Sequence, residues 1–338
     1  MSTERKVAFL SGLPGVTQVI ETHMAYVFLT AKFAFKLKKP ICFGYFDHRS
    51  LPARAHACAE EVRLNQALAG DVYIRPIPLV SSGEWLWLGG KGPLAGRPLA
   101  GWPVVDWLVQ MRRLPQARML DTVIAAGQGP RKDEMSAVVA LLARFYRQQQ
   151  ASPVRAGLYF THLHREQRVN ATHLTKMAHR LPNPGLARVA EDLSRRLDLA
   201  APDIAAREQA GFVVEGHGDL RPEHVCLTRP PVIFDRVESA VELRVLDIYD
   251  EVGYLAAECT MLGRPDLGKA LTGALEAEGF APPDPALMTT YAMFRLVTRA
   301  RLAIDHLQDE SPRTPAKWPR RAHDYLAEAS RLSAEAPA

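Results

Sequence analysis

Two carboxylates, Asp219 and Asp235, stand sixteen residues apart in the segment VVEGHGDLRPEHVCLTRPPVIFD. Two short apolar runs, Val225–Leu227 and Val232–Phe234, flank a turn at Arg229-Pro230-Pro231, which predicts a tight hairpin. Because a hairpin folds the chain back on itself, we expect both acids to lie at one end of it. Phosphoryl transfer requires such a pair: one carboxylate accepts the proton of the attacking hydroxyl, and the other holds Mg²⁺ against the nucleotide phosphates.

A second predicted hairpin lies near the N-terminus and is rich in lysine. Its strands are Tyr26–Thr30 and Phe33–Lys38, and the alternation in the second strand places Phe35 and Leu37 on one face. The other face then carries Lys36 and Lys38. A helix is predicted to follow over residues 51–68, with Ser50 as its N-cap and Gly70 after its end.

The chain as a whole divides into a strand-rich part and a helical part. Strand patterns dominate up to Leu114, and helical patterns dominate from Pro115, most clearly over Asp133–Gln149. One strand-rich interruption, residues 213–245, contains the paired carboxylates. The Gly- and Pro-rich stretch 89–103 has strand patterns on both sides, which favours a long hairpin loop over a linker.

These motifs carry a family resemblance. His217-Gly218-Asp219-Leu220, the hairpin after it and Asp235 resemble the catalytic and metal loops of the aminoglycoside phosphotransferase-like branch of the protein-kinase-like fold. The N-terminal hairpin is similar to an uncharacterised bacterial subfamily of these enzymes, and the likeness covers about residues 15 to 310. Some members of that subfamily carry a second, P-loop kinase domain. No G-x-x-x-x-G-K-[ST] occurs here, so we expect the single-domain form without it.

The resemblance implies a role for each of four residues. Asp219 matches the catalytic base and Asp235 the metal-binding carboxylate. Lys36 matches the strand lysine that contacts the α- and β-phosphates, with Lys38 as the alternative. Its glutamate partner on the following helix matches Glu61, with Glu60 as the alternative.

His224 departs from the family pattern, which has asparagine there as a magnesium ligand. Imidazole is a softer ligand and suits Mg²⁺ poorly. Three interpretations follow: Asp235 holds the metal alone, His224 acts by hydrogen bonding, or the site prefers Mn²⁺. No G-x-G-x-x-G precedes the first hairpin either, so phosphate binding must use backbone amides or the Thr22 hydroxyl near the turn between the first two strands.

The resemblance thus implies a two-lobe α+β fold of the protein-kinase-like type, with a nucleotide-binding lobe over residues 1–114 and a catalytic lobe over 115–338. The expected reaction is transfer of phosphate from ATP, with Mg²⁺ or Mn²⁺, to a hydroxyl of a small molecule. His217, Asp247 and Glu251 are expected to support the catalytic loop structurally. The alternative is a kinase-like nucleotide-binding module without turnover, motivated by His224 and the missing glycine loop.

Composition and motif spacing argue against several other classes of protein. Lys and Arg number 42 and Asp and Glu 37, giving a net charge of +5, and the basic pairs are scattered, so we expect no nucleic-acid partner. The same net positive charge argues against a polycationic antibiotic as substrate, because such a ligand needs an acidic pocket. The four cysteines form no C-x-x-C, and His162-Leu163-His164 lacks further partners for a metallohydrolase. No run approaches the roughly 18 apolar residues of a membrane span, so we expect a cytoplasmic protein without membrane contact.

Overall fold

A computed structural model describes residues 1–89, 101–151, 154, 156–308 and 314–335. The chain separates into two compact units. The first comprises Met1–Met119 with His224–Val241, and the second comprises Leu120–Glu223 with Glu242–Ala338. The lobes predicted from the sequence, 1–114 and 115–338, remain a proposal.

The strands are numbered in chain order. They are β1 (Val16–Glu21), β2 (Ala25–Thr30), β3 (Phe33–Lys38), β4 (Cys42–Phe43), β5 (Phe46–Asp47), β6 (Tyr73–Ser81), β7 (Leu86–Leu88), β8 (Val104–Arg112), β9 (Val213–Glu215), β10 (Val225–Cys226), β11 (Val232–Ile233) and β12 (Val245–Asp247).

The helices are numbered in the same way. They are α1 (Thr3–Ser11), α2 (Leu51–Ala69), α3 (Leu120–Ala125), α4 (Lys132–Gln150), α5 (Leu158–Met177), α6 (Val189–Leu199), α7 (Ala201–Gln209), α8 (Ile248–Met261), α9 (Pro265–Ala277), α10 (Pro285–Asp305) and α11 (Lys317–Glu335).

The first unit is built on an antiparallel sheet of six strands in the order β1-β2-β3-β8-β6-β7. Phe35 and Leu37 of β3 belong to an apolar cluster that includes Leu10 of α1. A second cluster joins Cys58 and Val62 of α2 to Val109 of β8. Alternation along β3 therefore directs Phe35 and Leu37 into one core and leaves Lys36 and Lys38 on the face that α2 covers. The hairpin β2–β3 is confirmed.

Helix α2 begins and ends where the sequence predicts. The Ser50 hydroxyl accepts a hydrogen bond from the Ala53 amide at 3.2 Å, as an N-cap does. Gly70 follows the last turn with φ +54°, a conformation that glycine adopts without the Cβ clash of other residues. The helix is thereby fixed in register against the sheet, and that register decides which of its acids faces β3.

Most of the Gly- and Pro-rich stretch, residues 90–100, lies outside the described residues. Strands flank it on both sides, as the pattern predicts. However, β7 and β8 lie on opposite sides of β6 instead of pairing with each other, so the flanking strands do not form a hairpin.

The second unit is mainly helical, and its core joins α5, α6, α10 and α11 to the two-stranded pair β9–β12. The helix predicted over Asp133–Gln149 is confirmed as α4. Helix α5 was not expected from the sequence, because its buried positions include Gln167 and Asn170 and its apolar periodicity is therefore weak.

Among the described residues, no helix is both long and apolar enough to cross a membrane. The mixed α+β class is confirmed.

The first unit contains a buried charge cluster centred on Asp106, which is 1% exposed. It accepts hydrogen bonds from Lys6 Nζ at 2.6 Å and Arg54 Nε at 2.7 Å. We expect Asp106→Ala to lower the free energy of unfolding by about 3–5 kcal/mol, because two buried cations lose their partner. Urea denaturation measures this. Asp71→Ala, at an exposed aspartate paired with Arg112, is the control and should cost at most about 1 kcal/mol. Equal losses in the two variants would contradict the prediction.

Candidate functional site

Lys36 is held between two carboxylates within the first unit. Its Nζ donates to Glu61 Oε1 at 2.9 Å and to Asp235 Oδ1 at 2.7 Å. Glu61 lies on α2 and is fully buried, whereas the Asp235 side chain is 40% exposed. Three residues that the resemblance selected, from three distant parts of the sequence, are thus brought together.

Lys38 has a different environment, although it shares the face of β3 with Lys36. Its Nζ donates to Glu61 Oε2 at 2.5 Å and forms an ion pair with Glu238. The Lys38 side chain is only 3% exposed, against 17% for Lys36. Lys36 is therefore the more accessible of the two, and Lys38 is enclosed between its carboxylate partners.

The two candidate glutamates on α2 are clearly distinguished by their contacts. Glu61 accepts from both lysines, while Glu60 pairs with Arg63 one turn along the same helix at 2.6 Å. The geometry favours Glu61, as the resemblance does.

The backbone around Asp235 is fixed by side chains of α2 and β6. Asp235 has φ +63°, an unusual conformation for a residue with a Cβ, which persists where the surroundings enforce it. Its amide donates to the Tyr73 hydroxyl at 3.1 Å. The next amide, of Arg236, donates to Asn65 Oδ1 at 2.8 Å, and Asn65 Nδ2 donates to the Glu61 carbonyl at 2.9 Å. Asp235 is therefore oriented toward Lys36 by its own loop.

The charges of this cluster hold one another in the ionised form. Burial raises the pKa of the Asp235 carboxyl, but the nearby Lys36 and His224 outweigh it, and the net pKa lies well below its usual range. Burial lowers the pKa of Lys36, but the negative charges of Asp235 and Glu61 raise it by more. The net pKa of Lys36 therefore lies well above its usual range. Lys36 and Asp235 are therefore both charged at neutral pH.

His224 lies at the base of the β10–β11 hairpin, which is confirmed with Val225 opposite Ile233. Its Nε2 is 3.7 Å from Asp235 Oδ2, and its carbonyl accepts from the Phe234 amide at 3.0 Å. A carboxylate and an imidazole thus stand side by side at the open end of the hairpin. Within the described chain, no group of three or more His, Cys, Asp or Glu side chains is arranged to hold a metal ion.

Asp219 belongs to the second unit, in the loop that follows β9. The backbone of this loop is held from below: the Gly218 amide donates to Glu251 Oε1 at 2.7 Å, and the Asp219 amide donates to Nδ1 of the fully buried His217 at 3.3 Å. A Cβ on Gly216 would stand 2.7 Å from Glu251 Oε2, so a side chain there would displace the Glu251 carboxylate. The structural role expected for His217 is confirmed.

Glu251 of α8 supports this loop, whereas Asp247, the last residue of β12, supports the start of the helix. Asp247 caps the helix by accepting from the Tyr249 amide at 2.8 Å, and it forms a buried ion pair with Arg207. Glu251 also accepts from the Tyr146 hydroxyl at 2.7 Å. Burial raises the pKa of Glu251, although the amides of His217 and Gly218 oppose this shift. The expected support of the catalytic loop is confirmed for Glu251, whereas the bonds of Asp247 go to Tyr249, Arg207 and Tyr291 instead of the loop.

Two partners of the Asp219 carboxylate were missed by the sequence analysis. Arg221 Nη2 donates to Asp219 Oδ2 at 2.8 Å, and the Tyr254 hydroxyl lies 3.2 Å from Asp219 Oδ1. Arg221 stands two residues after Asp219, and that spacing could have suggested it. Tyr254 gave no signal, because it lies in the apolar pattern of α8. The Asp219 side chain is 30% exposed, so it stays open to a second molecule.

The two acids that the sequence pairs therefore fall in different units, and their meeting at one end of the hairpin stays a prediction. Each has its own fixed surroundings: Asp235 is bonded to Lys36, and Asp219 to Arg221 and Tyr254.

Comparison with known proteins gives the fold. A choline/ethanolamine kinase family protein from Mesorhizobium loti superposes with a TM-score of 0.54 at 14% identity, over all of this chain and 96% of that one. The chain has the protein-kinase-like fold. This confirms the predicted fold class, with its β-rich N-terminal region and mainly helical C-terminal part.

The relatives found by sequence similarity are themselves uncharacterized proteins. Uncharacterized proteins of Mycobacterium tuberculosis and Mycobacterium bovis are each 28% identical over 313 residues, which is 88% of this chain. The chain spans 57% of the length of these curated relatives. No family model matches, so the resemblance to the aminoglycoside phosphotransferase branch remains a prediction.

The buried Glu61 predicts a distinctive dependence of stability on pH. The net pKa of Glu61 lies below the usual 4.5 because Lys36 and Lys38 outweigh the effect of burial. Its charge therefore stabilises the fold fully above about pH 4.5, and that contribution is lost as the pH falls through the depressed value. We expect Glu61→Gln to cost about 3–5 kcal/mol at pH 7, and the difference from wild type to shrink below pH 4.5.

Urea denaturation at pH 7 and at stepwise lower pH measures this difference. Glu60→Gln is the matched control, since its pair with Arg63 lies at the surface, and it should change stability by at most about 1 kcal/mol. A cost for Glu61→Gln that stays constant with pH would show that the charge of Glu61 does not stabilise the fold.

Proposed function

We propose that the protein is an ATP-dependent phosphotransferase that transfers the γ-phosphate to a hydroxyl of a small molecule. The observation that carries this proposal is Lys36, bonded at once to Glu61 on α2 and to Asp235. In protein kinases, a strand lysine paired with a helix glutamate contacts the nucleotide phosphates, and an aspartate holds the metal. The likeness to a choline/ethanolamine kinase family protein supports the same class of reaction.

Asp219 is assigned the role of base. As the acceptor oxygen bonds to the γ-phosphorus, the bond to the bridging oxygen of ATP breaks, ADP leaves and the acceptor proton passes to the carboxylate. Arg221 and Tyr254 each bond to one oxygen of that carboxylate and so fix its direction. Arg221 is a positioning residue in this scheme.

Asp235 is assigned the metal, with His224 beside it. Carboxylate oxygen is the ligand type that Mg²⁺ prefers, and phosphate oxygens and waters complete its usual shell. When bound, the ion neutralises charge that develops on the phosphates. Lys36 is assigned to contact the α- and β-phosphates, and Glu61 is assigned to orient Lys36. A small-molecule acceptor, no nucleic-acid partner and a cytoplasmic location complete the proposal.

A second candidate is a kinase-like module that binds nucleotide without turnover. Besides His224, one structural observation favours it. The Thr22 hydroxyl at the β1–β2 turn donates to the Ala25 carbonyl at 3.0 Å and accepts from the Ala25 amide at 2.9 Å. This hydroxyl is therefore engaged in its own turn, and phosphate binding at the turn would rely on backbone amides.

Asp219→Asn separates the two candidates. If the protein is a phosphotransferase, this variant should lose at least about 100-fold in turnover, because general-base catalysis contributes on that order, while ATP affinity stays within about twofold. Turnover is measured as ATP consumption with Mg²⁺ or Mn²⁺ and a pool of small metabolites, and affinity by calorimetry. Asp203→Asn, at an exposed acid of α7, is the control and should match wild type. ATP binding without turnover under any condition would favour the module.

His224→Asn tests the metal assignment. Replacing imidazole nitrogen by an amide oxygen should favour Mg²⁺, so we expect the Mg²⁺ concentration for half-maximal activity to fall by about tenfold, with a smaller change for Mn²⁺. Metal titrations of ATP consumption measure both. His56→Asn, at an exposed histidine of α2, is the control. Parallel shifts for the two metals would place His224 outside the metal shell.

A further inference from the structure

A pocket of about 530 Å³ opens in the second unit between the end of α8 and the beginning of α11. Its charged lining consists of Glu258 on α8 and of Lys317, Arg320, Arg321 and Asp324 on α11. We name it the α8–α11 pocket. Three cations thus face two anions before their existing bonds are considered.

Among the described residues, the cations of the pocket have no carboxylate partner. Some arginines elsewhere in this unit have such a partner: Arg207 pairs with Asp247, and Arg295 pairs with Asp250. By contrast, no carboxylate of the described chain forms an ion pair with the three basic side chains of the pocket, Lys317, Arg320 and Arg321. The guanidinium of Arg321 donates to the Tyr325 hydroxyl at 3.1 Å instead.

The principal anion of the pocket is already engaged. Glu258 is 4% exposed and accepts from the Tyr325 hydroxyl at 3.0 Å. Arg299 lies against the same carboxylate, with its Nε 3.4 Å from Glu258 Oε1. Of the described lining residues, Asp324 is then the one remaining anion beside three cations, so these side chains present a net positive charge to a ligand.

Helix α8 connects the pocket wall to the surroundings of the candidate base. Tyr254, whose hydroxyl lies 3.2 Å from Asp219, stands one helical turn before Glu258, and residues four apart share a helix face. Arg299 also lies beside this helix, with its Nε in an ion pair with Glu258 Oε1. The pocket wall at Glu258 and the contact of Tyr254 with Asp219 therefore stand one helical turn apart on α8.

We propose that the α8–α11 pocket binds an anionic group, a phosphate or a carboxylate, of the molecule whose hydroxyl Asp219 deprotonates. This inference rests on the proposed function and adds the chemical class of the acceptor. Guanidinium groups form paired, charge-assisted hydrogen bonds with both kinds of oxyanion, and Arg320 and Arg321 stand together at the wall. A cationic acceptor would meet like charges there.

Equilibrium binding to the full chain tests the proposal with four probes that each carry a hydroxyl. Glycerol 3-phosphate and glycerate are anionic, glycerol is neutral and choline is cationic. We expect calorimetry to detect one or both anions at millimolar concentration and neither of the other two. Comparing the two anions distinguishes a phosphate site from a carboxylate site.

The double variant Arg320→Glu/Arg321→Glu should weaken anion binding at least tenfold, and Lys317→Glu should weaken it to a smaller extent. Lys317 and Arg320 are exposed, so Lys317→Glu remains informative if the double variant fails to fold. Arg168→Glu, at an exposed arginine of α5, is the matched control and should bind like wild type. No anion binding by wild type, binding of choline, or equal binding by the pocket variants and the control would overturn the proposal.

A functional arm separates this proposal from the proposed function. A metabolite pool is divided on an anion exchanger, and ATP consumption is measured with each fraction. Activity with the retained fraction, with a KM raised at least tenfold by Lys317→Glu, supports the anionic acceptor. Activity only with the unretained fraction overturns it and leaves the phosphotransferase standing. Anion binding without ATP consumption in any fraction would instead count against the phosphotransferase.

Discussion

One buried carboxylate, Glu61, determines how the first unit is organised around its candidate site. It accepts from two lysines of the same strand face and is inaccessible to water. Removing such a charge from water is unfavourable unless it is fully paired, and two lysines satisfy that need. Since each lysine has a second carboxylate partner, Asp235 or Glu238, the loop between these two acids is fastened to β3 at both ends.

The second unit repeats this solution with different residues. Glu251 is buried in α8 and accepts from the Gly218 amide and the Tyr146 hydroxyl, so the loop bearing Asp219 is held by a helix carboxylate from below. In both units, a buried acid on a regular helix fixes an irregular loop that carries an exposed acid. The helix carboxylate is the buried one, so the loop carboxylate can remain accessible to solvent. Preorganisation of this kind is what electrostatic catalysis requires.

Local patterns in the sequence predicted the elements that these loops join. The β2–β3 and β10–β11 hairpins, the Ser50 cap and helix α4 follow from alternation, turn residues and helical spacing, which act over a few residues. Helix α5 escaped detection because tertiary contacts bury its polar Gln167, and no local pattern reports such burial. The flanks of the Gly- and Pro-rich stretch were recognised as strands, but their separation by β6 depends on pairing distant in sequence.

By itself, the sequence determined which residues could do the chemistry: Asp219, Asp235, Lys36 and Glu61 were selected by residue type, order and resemblance. The tertiary structure decided which lysine is enclosed and which glutamate faces inward. Lys36 and Lys38 lie on the same face of the same strand, and Glu60 and Glu61 are adjacent in the sequence. Local sequence patterns therefore do not distinguish the two members of either pair. Their burial depends on how α2 lies across β3 and on where Glu238 returns to the sheet. The partners of Asp219 were decided in the same way, because Tyr254 approaches it from a helix thirty-five residues away.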